Sequence, residues 1–423
     1  MNFENSLAFA KQLDEQDQLK NFRDKFLFPQ HNGKECIYFT GNSLGLQPKN
    51  ALSEIQNVLN DWAALGVEGH FNGSRPWMHF HDHLTKPLSA IVGCLQHEVV
   101  VMNSLTVNLH LLMVSFYRPT KQRYKIICEA KAFPSDQYAF ESQVKFHGFH
   151  PADAIVEVKP RKGEHTLRIE DILSIIKKHA NETVLVLFSG INYYTGQFFD
   201  IKSITKAAHN AGAYAGFDLA HATANVELKL HEWNVDFAVW CSYKYLNSGP
   251  GAVAAAYIHE RFATDKNFAR FAGWWGNNKT SRFKMEKEFD AIDSAEGWQL
   301  STPPALLLAA LKASLDIFEE ADIEKTHAKR KILTGFLHFV LNDINQKNNK
   351  KVIEIITPVN EAERGCQVSI LVLENGRNIF DALTDAGVIA DWREPNVIRV
   401  APVPLYNTYE DVWRFGNIIK NIL

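Results

Sequence analysis

The sequence has 423 residues, of which 46% are hydrophobic and 22% are charged, and its formal net charge is -3. This composition is typical of a soluble globular protein, and the length allows a large core and two domains. With this charge balance and no polybasic segment, we expect no nucleic-acid partner and no attachment to a membrane. The five cysteines are odd in number and form no C-x-x-C pair, which favours a reducing compartment over disulfides or a zinc site.

The N-terminal stretch MNFENSLAFAKQLDEQDQLKNF is polar and acidic and lacks the apolar core of a signal peptide. The longest apolar runs, such as LHLLMVSFY, are too short to span a bilayer, so we expect a cytoplasmic protein. The chain up to about Asp61 has the pattern of a helix, a loop and a second helix. We assign residues 1–62 to an N-terminal segment that packs on both domains.

The middle of the chain alternates short apolar runs with amphipathic stretches. Five runs have the pattern of buried strands: 123–133 (RYKIICEAKAF), 182–190 (ETVLVLFSG), 213–220 (AYAGFDLA), 235–242 (VDFAVWCS) and 251–259 (GAVAAAYIH). Residues 200–212 predict a helix, with Asp200 near its start and Gly212 at its end. Apolar strands that alternate with helices predict a mostly parallel sheet covered on both faces, which we place in a large domain, residues 63–302.

From Pro303 onward the pattern changes. A long helix is predicted in 304–321, strands in 351–358 and 366–374, and further helices in 378–387 and 409–423. These elements predict a smaller α+β domain, residues 303–423. The polar run NDINQKNNKK, residues 342–351, predicts a surface turn within it.

Polar residues follow several predicted strands at their carboxyl ends, where open α/β sheets bind ligands. Asp218 and His221 follow one strand, Tyr243 and Lys244 follow the next, and Ser189 ends a third. Taken singly, each is most often a solvated loop residue or a helix cap. A lysine between two tyrosines is in partly apolar surroundings, however, and such an amine is a usable nucleophile and base.

Pyridoxal phosphate is a cofactor whose chemistry needs this set of groups. It requires a lysine for a covalent link to its aldehyde, a carboxylate that keeps its pyridine nitrogen protonated, and donors around its phosphate. Lys244 could supply the amine, and Asp218, 26 positions upstream on a neighbouring strand, the carboxylate. The other candidates are Ser189, Tyr243, Thr106 and backbone amides for the phosphate, and Phe133 for stacking on the ring. The spacing alone is only moderately specific for this cofactor.

Several longer motifs resemble the kynureninase family of pyridoxal-phosphate enzymes, over nearly the whole chain. They are YFTGNSLGLQPK, GHFNGSRPW, MNSLTVNLHLLM, AKAFPSDQYAFESQ, LFSGINYYTGQ, GFDLAHATANVELKLHEWNVDFAVWCSYKYLNSGPG, GWWG, RFKM and IRVAPVPLYN. The block from DLAH to CSYKYLNSGPG is highly specific to this family and its nearest relatives.

The resemblance implies the aspartate-aminotransferase-like α/β fold, pyridoxal-phosphate fold type I. In this fold a large domain carries a mostly parallel seven-stranded sheet flanked by helices, and a smaller α+β domain is C-terminal. The implied activity is hydrolytic cleavage of the Cβ–Cγ bond of L-kynurenine, 3-hydroxy-L-kynurenine or both, giving anthranilate or 3-hydroxyanthranilate and L-alanine. That reaction belongs to the kynurenine pathway of tryptophan catabolism and NAD biosynthesis. We therefore expect pyridoxal 5'-phosphate as cofactor and a homodimer with sites at the subunit interface.

Matched motif by motif, the resemblance implies roles for individual residues. Lys244 in SYKYLN would carry the cofactor, Asp218 in FDLAH would pair with the pyridinium, and His221 would support the ring-oxygen side. The remaining implied cofactor contacts are Leu105 and Thr106 in SLTVN, Phe133, Pro134, Ser135 and Asp136 in FPSD, Ser189 in LFSG, Tyr243, Trp274 in GWWG and Thr302 in STPP.

Four positions are implied to bind the substrate. Arg399 in IRVAP would clamp its α-carboxylate, for which a bidentate guanidinium is suited. Ser43 in GNSLGL, His70 in GHFNG and Thr302 would lie near its aromatic end. In the family, animal enzymes pair the histidine with an asparagine in an N-P-P motif, and many bacterial enzymes pair a tryptophan with a threonine. His70 and Thr302 form a mixed pair, so the preference between kynurenine and its 3-hydroxy derivative stays open.

In the implied reaction, the freed Lys244 amine takes the Cα proton while the cofactor ring, aided by Asp218, stores the electrons. Water adds to the γ-carbonyl of the substrate, and collapse of the gem-diol breaks the Cβ–Cγ bond. Tyr243 is our candidate for the general acid. A role for Tyr243 as a phosphate ligand only is equally consistent with its position.

Two alternatives stay open at this point. One is another enzyme of the same fold, such as a cysteine desulfurase or an aminotransferase, although no cysteine has the context of a mobile catalytic loop. The other is a non-catalytic binding protein that kept the fold, and the presence of Lys244, Asp218 and Arg399 speaks against it.

Other motifs carry weaker signals. WMHFHDH places His79, His81 and His83 at alternate positions, which on a strand could bind a metal. No cysteine lies nearby and the resemblance places this stretch in a helix, so we expect no metal site. GWWG has the composition of core or interface aromatics, and only the resemblance favours Trp274 over Trp275. FTGNSLGL lacks the G-x-G-x-x-G order of dinucleotide-binding loops.

Overall fold

The computed structural model describes residues 2–347 and 351–423. The described strands, in chain order, are β1 Phe26–Leu27, β2 Gln30–His31, β3 Lys34–Glu35, β4 Ile37–Tyr38, β5 Gln47–Pro48, β6 Val99–Val101, β7 Lys125–Glu129, β8 Ile155–Val158, β9 Thr183–Ser189, β10 Tyr214–Asp218, β11 Phe237–Trp240, β12 Ala255–Ile258, β13 Ile353–Ile355, β14 Val368–Val372, β15 Val388–Ile389, β16 Asp391–Arg393 and β17 Val397–Val400. The described α-helices are α1 Leu7–Gln16, α2 Ala51–Leu65, α3 Asp82–Val92, α4 Leu105–Phe116, α5 Pro134–Phe146, α6 Pro151–Ala154, α7 Ile169–Lys178, α8 Ile201–Asn210, α9 Glu260–Ala263, α10 Ala305–Ala321, α11 Ile323–Lys347, α12 Gly376–Asp385 and α13 Tyr409–Ile422.

A seven-stranded sheet, in the order β6-β12-β11-β10-β9-β7-β8, forms the centre of the larger part of the molecule. The strands from β8 to β11 are parallel, and β12 runs antiparallel to both of its neighbours. Alternate residues of β9 enter two different cores, Leu185 and Leu187 on one face and Val186 and Phe188 on the other. Burial on both faces explains why the strands are apolar throughout. The predicted mostly parallel sheet is confirmed, with β12 making it mixed.

The strands that carry candidate residues are shorter than the apolar runs that predict them. Asp218 is the last residue of β10 and is paired with Ser189, the last residue of β9. His221 lies in the turn after β10, and Tyr243 and Lys244 lie in the loop after β11. Because these strands are parallel, their carboxyl ends bring all five residues to one edge of the sheet.

The predicted helix at 200–212 is confirmed as α8. The Asp200 side chain accepts a hydrogen bond from the Ser203 N–H at 3.0 Å, which satisfies a free donor at the helix start. Gly212 follows the helix with a φ of 66°, a left-handed conformation that favours glycine.

A four-stranded antiparallel sheet, in the order β13-β14-β17-β16, forms the C-terminal part. Apolar residues from α11, α13, β14 and β17 build a core of their own beside it. The α+β character predicted for this part is confirmed. Strand β17, which carries Arg399, is not among the predicted elements.

The N-terminal 62 residues contact both parts of the molecule. β4 pairs in parallel with β15, and the Phe39 ring packs edge-on against Phe415 of α13 at 5.5 Å. On the other side, the Gly45 N–H donates to the carbonyl oxygen of Tyr243 at 2.8 Å. The loop around Gly45 therefore lies directly against the segment that carries Lys244.

Two local predictions are wrong. Residues 342–347 of the predicted surface turn belong to α11, and residues 348–350 lie outside the described residues. In WMHFHDH, α3 begins at Asp82, so His79 and His81 lie in turns and only His83 is helical. No described helix combines the length and apolar character needed to cross a membrane.

Candidate active site

A cavity opens at the carboxyl edge of the large sheet. Its lining is Leu105, Thr106, Phe133, Ser135, Asp136, Ser189, Ile191, Tyr193, Asp218, Ala220, His221, Tyr243 and Lys244. Most of the residues expected to touch the cofactor are in this set, and they come from the ends of β9, β10 and β11 and from the starts of α4 and α5. Ile191, Tyr193 and Ala220 also line the cavity; they lie within the quoted motifs, but the sequence predicts no role for them.

Lys244 reaches into the cavity from the loop after β11. Its Nζ lies 3.0 Å from Nε2 of His221. The same nitrogen lies 5.8 Å from the centre of the Phe133 ring and 6.0 Å from that of Tyr243. Aromatic faces attract a cation without neutralising it. The amine is thus held at the cavity by an imidazole and two rings, with no carboxylate as its direct partner in the described chain.

His221 is the imidazole that receives this amine. It is buried, and burial, followed by the charges of Lys244 and Arg399, holds its pKa well below the usual range. A neutral imidazole can accept the Lys244 hydrogen bond at Nε2, which leaves the proton on Nδ1. Nδ1 is buried and has no hydrogen-bond partner in the described part of the chain. A buried ring N–H without an acceptor indicates that a group absent from the chain itself belongs beside it.

Asp218 and Asp136 form a pair of buried, hydrogen-bonded carboxyl groups beneath the amine. Burial raises the pKa of Asp218, while the charge of Lys244 and a hydrogen bond from the Ala220 N–H at 2.7 Å act against it. Burial and the neighbouring Asp218 carboxylate raise the pKa of Asp136 further, to well above its usual range. Asp136 therefore holds the proton of this pair more readily than Asp218, which favours Asp218 as the charged member.

Glu129, the last residue of β7, is a third buried acid behind this pair. Its Oε1 accepts from the Ser189 hydroxyl at 2.5 Å and from the Ser189 N–H at 3.1 Å. Burial raises the pKa of Glu129 to about 6, although the Ser189 hydrogen bonds oppose the shift. The motifs did not point to Glu129. It lies inside the predicted apolar run 123–133, as Asp218 lies inside the run 213–220, and a carboxylate within such a run is the signal that could have identified it.

The start of α4 offers donors to an anion at one side of the cavity. Leu105 and Thr106 are the first two helical residues, and the side chain of the N-cap Ser104 does not cap them. The first turn also lacks acidic residues. The free N–H groups and the positive end of the helix dipole suit a phosphate group.

Aromatic residues form the outer wall. Phe133 is 41% exposed, so one face of its ring is free to stack on a flat ligand. Tyr193 packs edge-on against it, with the ring centres 5.1 Å apart. Burial raises the pKa of the Tyr243 hydroxyl, and the neighbouring Cys241 raises it further. Tyr243 is therefore protonated over the whole physiological pH range, and its hydroxyl has a proton to donate.

Arg399 lies behind Tyr193 and does not line the cavity itself. It is 1% exposed; Nη1 donates to the Tyr193 carbonyl oxygen at 2.6 Å and Nη2 contacts the Asp391 carboxylate. Its Nε is buried without a partner. Arg399 is thus already paired with one carboxylate, and it retains one N–H for a second.

The remaining expected site residues are not brought to this cavity within one chain. Ser43 and Thr302 are exposed, and Pro134 is exposed at the start of α5. Trp274 is 43% exposed and its indole N–H donates to the Arg282 carbonyl oxygen at 3.2 Å. His70 packs edge-on against Trp77 at 5.1 Å, and its Nδ1 is buried without a partner.

The groups that line the cavity fit pyridoxal phosphate. Two buried carboxyl groups share one proton and so leave a negative charge that a pyridinium nitrogen would balance. The orphaned Nδ1–H of His221 can donate to an oxygen on the ring, the start of α4 can hold the phosphate, and Phe133 can cover the ring face. Lys244 presents the amine that links to an aldehyde.

Comparisons of the sequence with known proteins find close full-length relatives. Residues 327–419 match the family described as Kynureninase C-terminal domain. A kynureninase of Flavobacterium psychrophilum is 59% identical over 420 residues, covering 99% of both chains. That of Myxococcus xanthus is 52% identical and covers 99% of this chain and 97% of the relative. The human kynureninase is 46% identical and covers 98% of this chain and 92% of the relative.

Solved structures with the same fold include more distant proteins. An apo cysteine desulfurase of Thermococcus onnurineus has a TM-score of 0.75 at 17% identity and covers 92% of this chain and 94% of that one. A cystine C-S lyase variant with glycine covalently linked to its pyridoxal-phosphate cofactor has a TM-score of 0.76 at 15% identity, covering 91% and 96%. At these identities the likeness shows the fold alone, and that fold is pyridoxal-phosphate fold type I.

Proposed function

Because the chain belongs to the kynureninase family, we propose that it is a pyridoxal-phosphate-dependent hydrolase that cleaves the Cβ–Cγ bond of L-kynurenine or its 3-hydroxy derivative. The products are anthranilate or 3-hydroxyanthranilate and L-alanine, within tryptophan catabolism and NAD biosynthesis. The observation that carries the proposal is the placement of the Lys244 amine 3.0 Å from a neutral His221 at the edge where the buried Asp218 ends its strand.

The cofactor, when bound, supplies an electron-accepting ring next to the substrate Cα. The residues that would hold it are Lys244 at its aldehyde, Asp218 at its nitrogen and the start of α4 at its phosphate. We propose that Asp218 is the ionised member of the carboxyl pair, because the pKa of Asp136 is raised more strongly and the charge of Lys244 opposes the rise at Asp218. An ionised carboxylate in a buried site keeps a pyridine nitrogen protonated, which is the state in which the ring accepts electrons.

Lys244 is the group that moves protons on the substrate side. Its partner His221 is neutral and accepts a hydrogen bond, so it does not compete for a proton as a carboxylate would. We propose that the Lys244 amine takes the Cα proton and returns it later in the cycle. A base needs to lie within hydrogen-bond reach of the proton it takes, and the flexible lysine side chain allows this.

Tyr243 is the proposed general acid. Its hydroxyl is protonated at working pH because burial and Cys241 raise its pKa. It lines the same cavity as Lys244 and the first two residues of α4, Leu105 and Thr106. A hydroxyl in this place can donate a hydrogen bond to the phosphate or a proton to Cβ of the substrate after the Cβ–Cγ bond breaks. We propose the second role.

Arg399 is the proposed site for the substrate α-carboxylate. Its guanidinium is fixed by Asp391 and by the Tyr193 carbonyl, and Nε remains free. A fixed guanidinium with a free N–H is pre-organised for a second carboxylate. Tyr193 connects this arginine to the cavity wall, since its ring packs on Phe133.

We propose a cytoplasmic homodimer in which each chain completes the site of its partner. Trp274 and Phe71 both pack against Phe283, with ring centres 5.4 Å and 6.0 Å apart, and all three side chains are between 43% and 56% exposed. Contiguous exposed aromatic groups indicate an interaction surface. A second copy on this surface would bring Trp274 and Thr302 to a cavity that neither reaches in its own chain.

We also propose the division into an N-terminal segment at 1–62, a large cofactor-binding domain at 63–302 and a small domain at 303–423. The separate apolar cores of the two sheets support it. The N-terminal segment would pack on both domains, as the contacts of Phe39 and Gly45 indicate.

The test of the proposed function is to incubate the purified protein, with added pyridoxal phosphate, with L-kynurenine and with 3-hydroxy-L-kynurenine. Anthranilate or 3-hydroxyanthranilate is the expected product, and the ratio of the two rates gives the preference set by the His70 and Thr302 pair. Absence of product with both substrates rejects the proposal. A desulfurase would instead release sulfur from cysteine; Cys36, Cys128, Cys241 and Cys366 are buried, which disfavours it.

A further inference from the structure

The interior of the small domain contains a polar stripe on one face of α11. His327, Arg330, Thr334 and His338 follow one another at helical spacing, and each is at most 8% exposed. Each also has a buried side-chain atom without a hydrogen-bond partner: Nδ1 of His327, Nε of Arg330, Oγ1 of Thr334 and both ring nitrogens of His338. Native proteins leave few such atoms unpaired, so a group that the chain does not supply is expected here.

A second arginine lies against this stripe from the loop before β14. Arg364 is 5% exposed, and its own carbonyl oxygen accepts a hydrogen bond from Nη1 of Arg330 at 2.7 Å. Nη1 of Arg364 donates to the carbonyl oxygens of Pro358, at 3.0 Å, and Val359. Like Arg330, Arg364 has a buried Nε–H without a partner.

Among the residues that the structure describes, no negative charge lies close enough to the two guanidinium groups to form an ion pair with them. Within residues 2–347 and 351–423 neither forms an ion pair, and the acidic groups that act on them from a distance are Glu361 and Glu227. Both glutamates are exposed, and Glu227 is paired with Lys229 at 3.3 Å.

Neighbouring titratable groups do not neutralise the pair either. Burial raises the pKa of Cys366 to about 12, so this thiol next to Arg330 is uncharged. Burial and the arginines lower the pKa of His327 to about 4 and of His338 to about 3, so both are neutral. Arginine itself stays protonated in proteins. Two adjacent buried cations without a counter-charge are strongly unfavourable.

We propose that Arg330 and Arg364 bind a small singly charged anion, of the chloride or bromide class, inside the small domain. Each guanidinium offers it one buried N–H, and the neutral imidazole of His338 beside Arg364 can add a third donor. A spherical ion suits single donors from several directions, whereas a carboxylate or phosphate is best bound by the paired N–H groups of one fork. Water alone would fill the hydrogen bonds but would leave the two positive charges uncompensated.

The proposed ion would stabilise the junction between the two parts of the molecule. Arg364 forms an isolated bridge with Gln197, and the Phe198 N–H donates to the Glu363 carbonyl oxygen at 2.8 Å. Arg330 also lies next to Cys366, whose N–H is bound by Asn225 from the loop after β10. Neither arginine lines the cofactor cavity, so the ion site is distinct from it.

The direct test is diffraction from crystals of the holoenzyme grown or soaked in bromide. An anomalous peak within hydrogen-bond distance of the Nε atoms of both Arg330 and Arg364 is expected. Ordered water at that position, or bromide only at exposed arginines, overturns the proposal. This experiment uses the unaltered chain and does not depend on the folding of any variant.

The solution test is the thermal midpoint of the holoenzyme as gluconate is replaced by chloride at constant ionic strength. The midpoint should rise saturably, by about 1–2 °C at tenfold the dissociation constant. Arg364→Met should abolish this rise, and Arg377→Met, at an exposed arginine of α12, should retain it. Arg399→Met tests whether the chloride instead binds at the cofactor cavity. If the chloride-dependent rise of the thermal midpoint is lost in Arg399→Met and kept in Arg364→Met, the proposal is contradicted.

Discussion

Replacing Gly45 by alanine should displace Lys244 and lower both stability and activity, because Gly45 lies against the backbone that carries Lys244. A Cβ at this position would meet the Lys244 carbonyl oxygen, the side-chain oxygen of Asn247 and, at 2.7 Å, its Cα. Ordinary contacts begin at 3.4 Å, so buried backbone has to move by at least about 0.7 Å. Overpacking of this kind costs about 1–3 kcal/mol of the free energy of unfolding. A displacement of this size at a catalytic group lowers the rate by roughly 10- to 100-fold.

Gly335 in α11 provides the matched control. A Cβ there would meet only the Phe3 ring, at an ordinary 3.5 Å, and alanine is the better helix former. Gly335→Ala should therefore raise the free energy of unfolding, by up to about 1 kcal/mol, and leave kcat/KM unchanged. Urea unfolding and steady-state kinetics on both variants measure the two effects. If Gly45→Ala were as stable and as active as the unaltered enzyme, the contact between this loop and the lysine segment would be refuted.

Two further predictions test the charges around the site and the fold. Arg399→Ala should raise KM by about 10- to 150-fold, because it removes a charge-assisted hydrogen bond that contributes about 1.5–3 kcal/mol to substrate binding. The visible absorption band of the cofactor should remain. Loss of that band would show that Arg399 holds the cofactor instead. Arg377→Ala, at an exposed arginine, should leave KM unchanged. Burial raises the pKa of Glu296, but hydrogen bonds from His81 and Lys279 outweigh burial and hold the pKa at about 2, below the ordinary 4.5. The carboxylate thus stabilises the fold by about 3 kcal/mol above about pH 5, and this contribution is lost as the pH falls towards 2. Glu296→Gln should be less stable than the unaltered protein near neutral pH, and urea unfolding should show the difference closing below pH 5; a difference independent of pH would contradict this assignment.

The residues at the carboxyl edge of the large sheet could be predicted from sequence because each follows an apolar strand pattern in its own segment of the chain. Apolar runs predicted the strands, parallel pairing followed from their alternation with helices, and parallel pairing places the strand ends side by side. Asp218, His221 and Lys244 therefore come together as expected from their positions after β10 and β11. The hydrogen bond between Lys244 and His221, and the proton shared by Asp136 and Asp218, depend on side-chain placement that no spacing rule provides.

Helix α11 shows why other parts of the fold were missed. Its buried face carries His327, Arg330, Thr334 and His338, so the apolar period that identifies a helix is interrupted where the helix is most buried. Its last turns, up to Lys347, are rich in asparagine and lysine and have the composition of a loop. The same buried polar residues that interrupt the apolar pattern of this helix are the ones that indicate an anion site.

For some residues, the sequence of one chain predicts a role in the site but not a position at the cavity. Trp274, Thr302 and Ser43 were assigned to the site by their motifs, and all three lie on exposed surface. The proposed site shared between two subunits would produce this arrangement, because the sequence specifies both halves of such a site but not which copy supplies each residue. Light scattering on the purified holoenzyme should give the mass of two chains, and a stable monomer with full activity would contradict the shared site.

The proposed mechanism depends on the Lys244 amine holding the cofactor beside the buried carboxyl group of Asp218. The most direct measurement is borohydride reduction of the holoenzyme followed by proteolysis and mass spectrometry. One pyridoxyl-modified peptide is expected, containing Lys244 within CSYKYLN, and no such adduct is expected in Lys244→Ala. A modification on any other lysine, or an adduct that persists in Lys244→Ala, would contradict it.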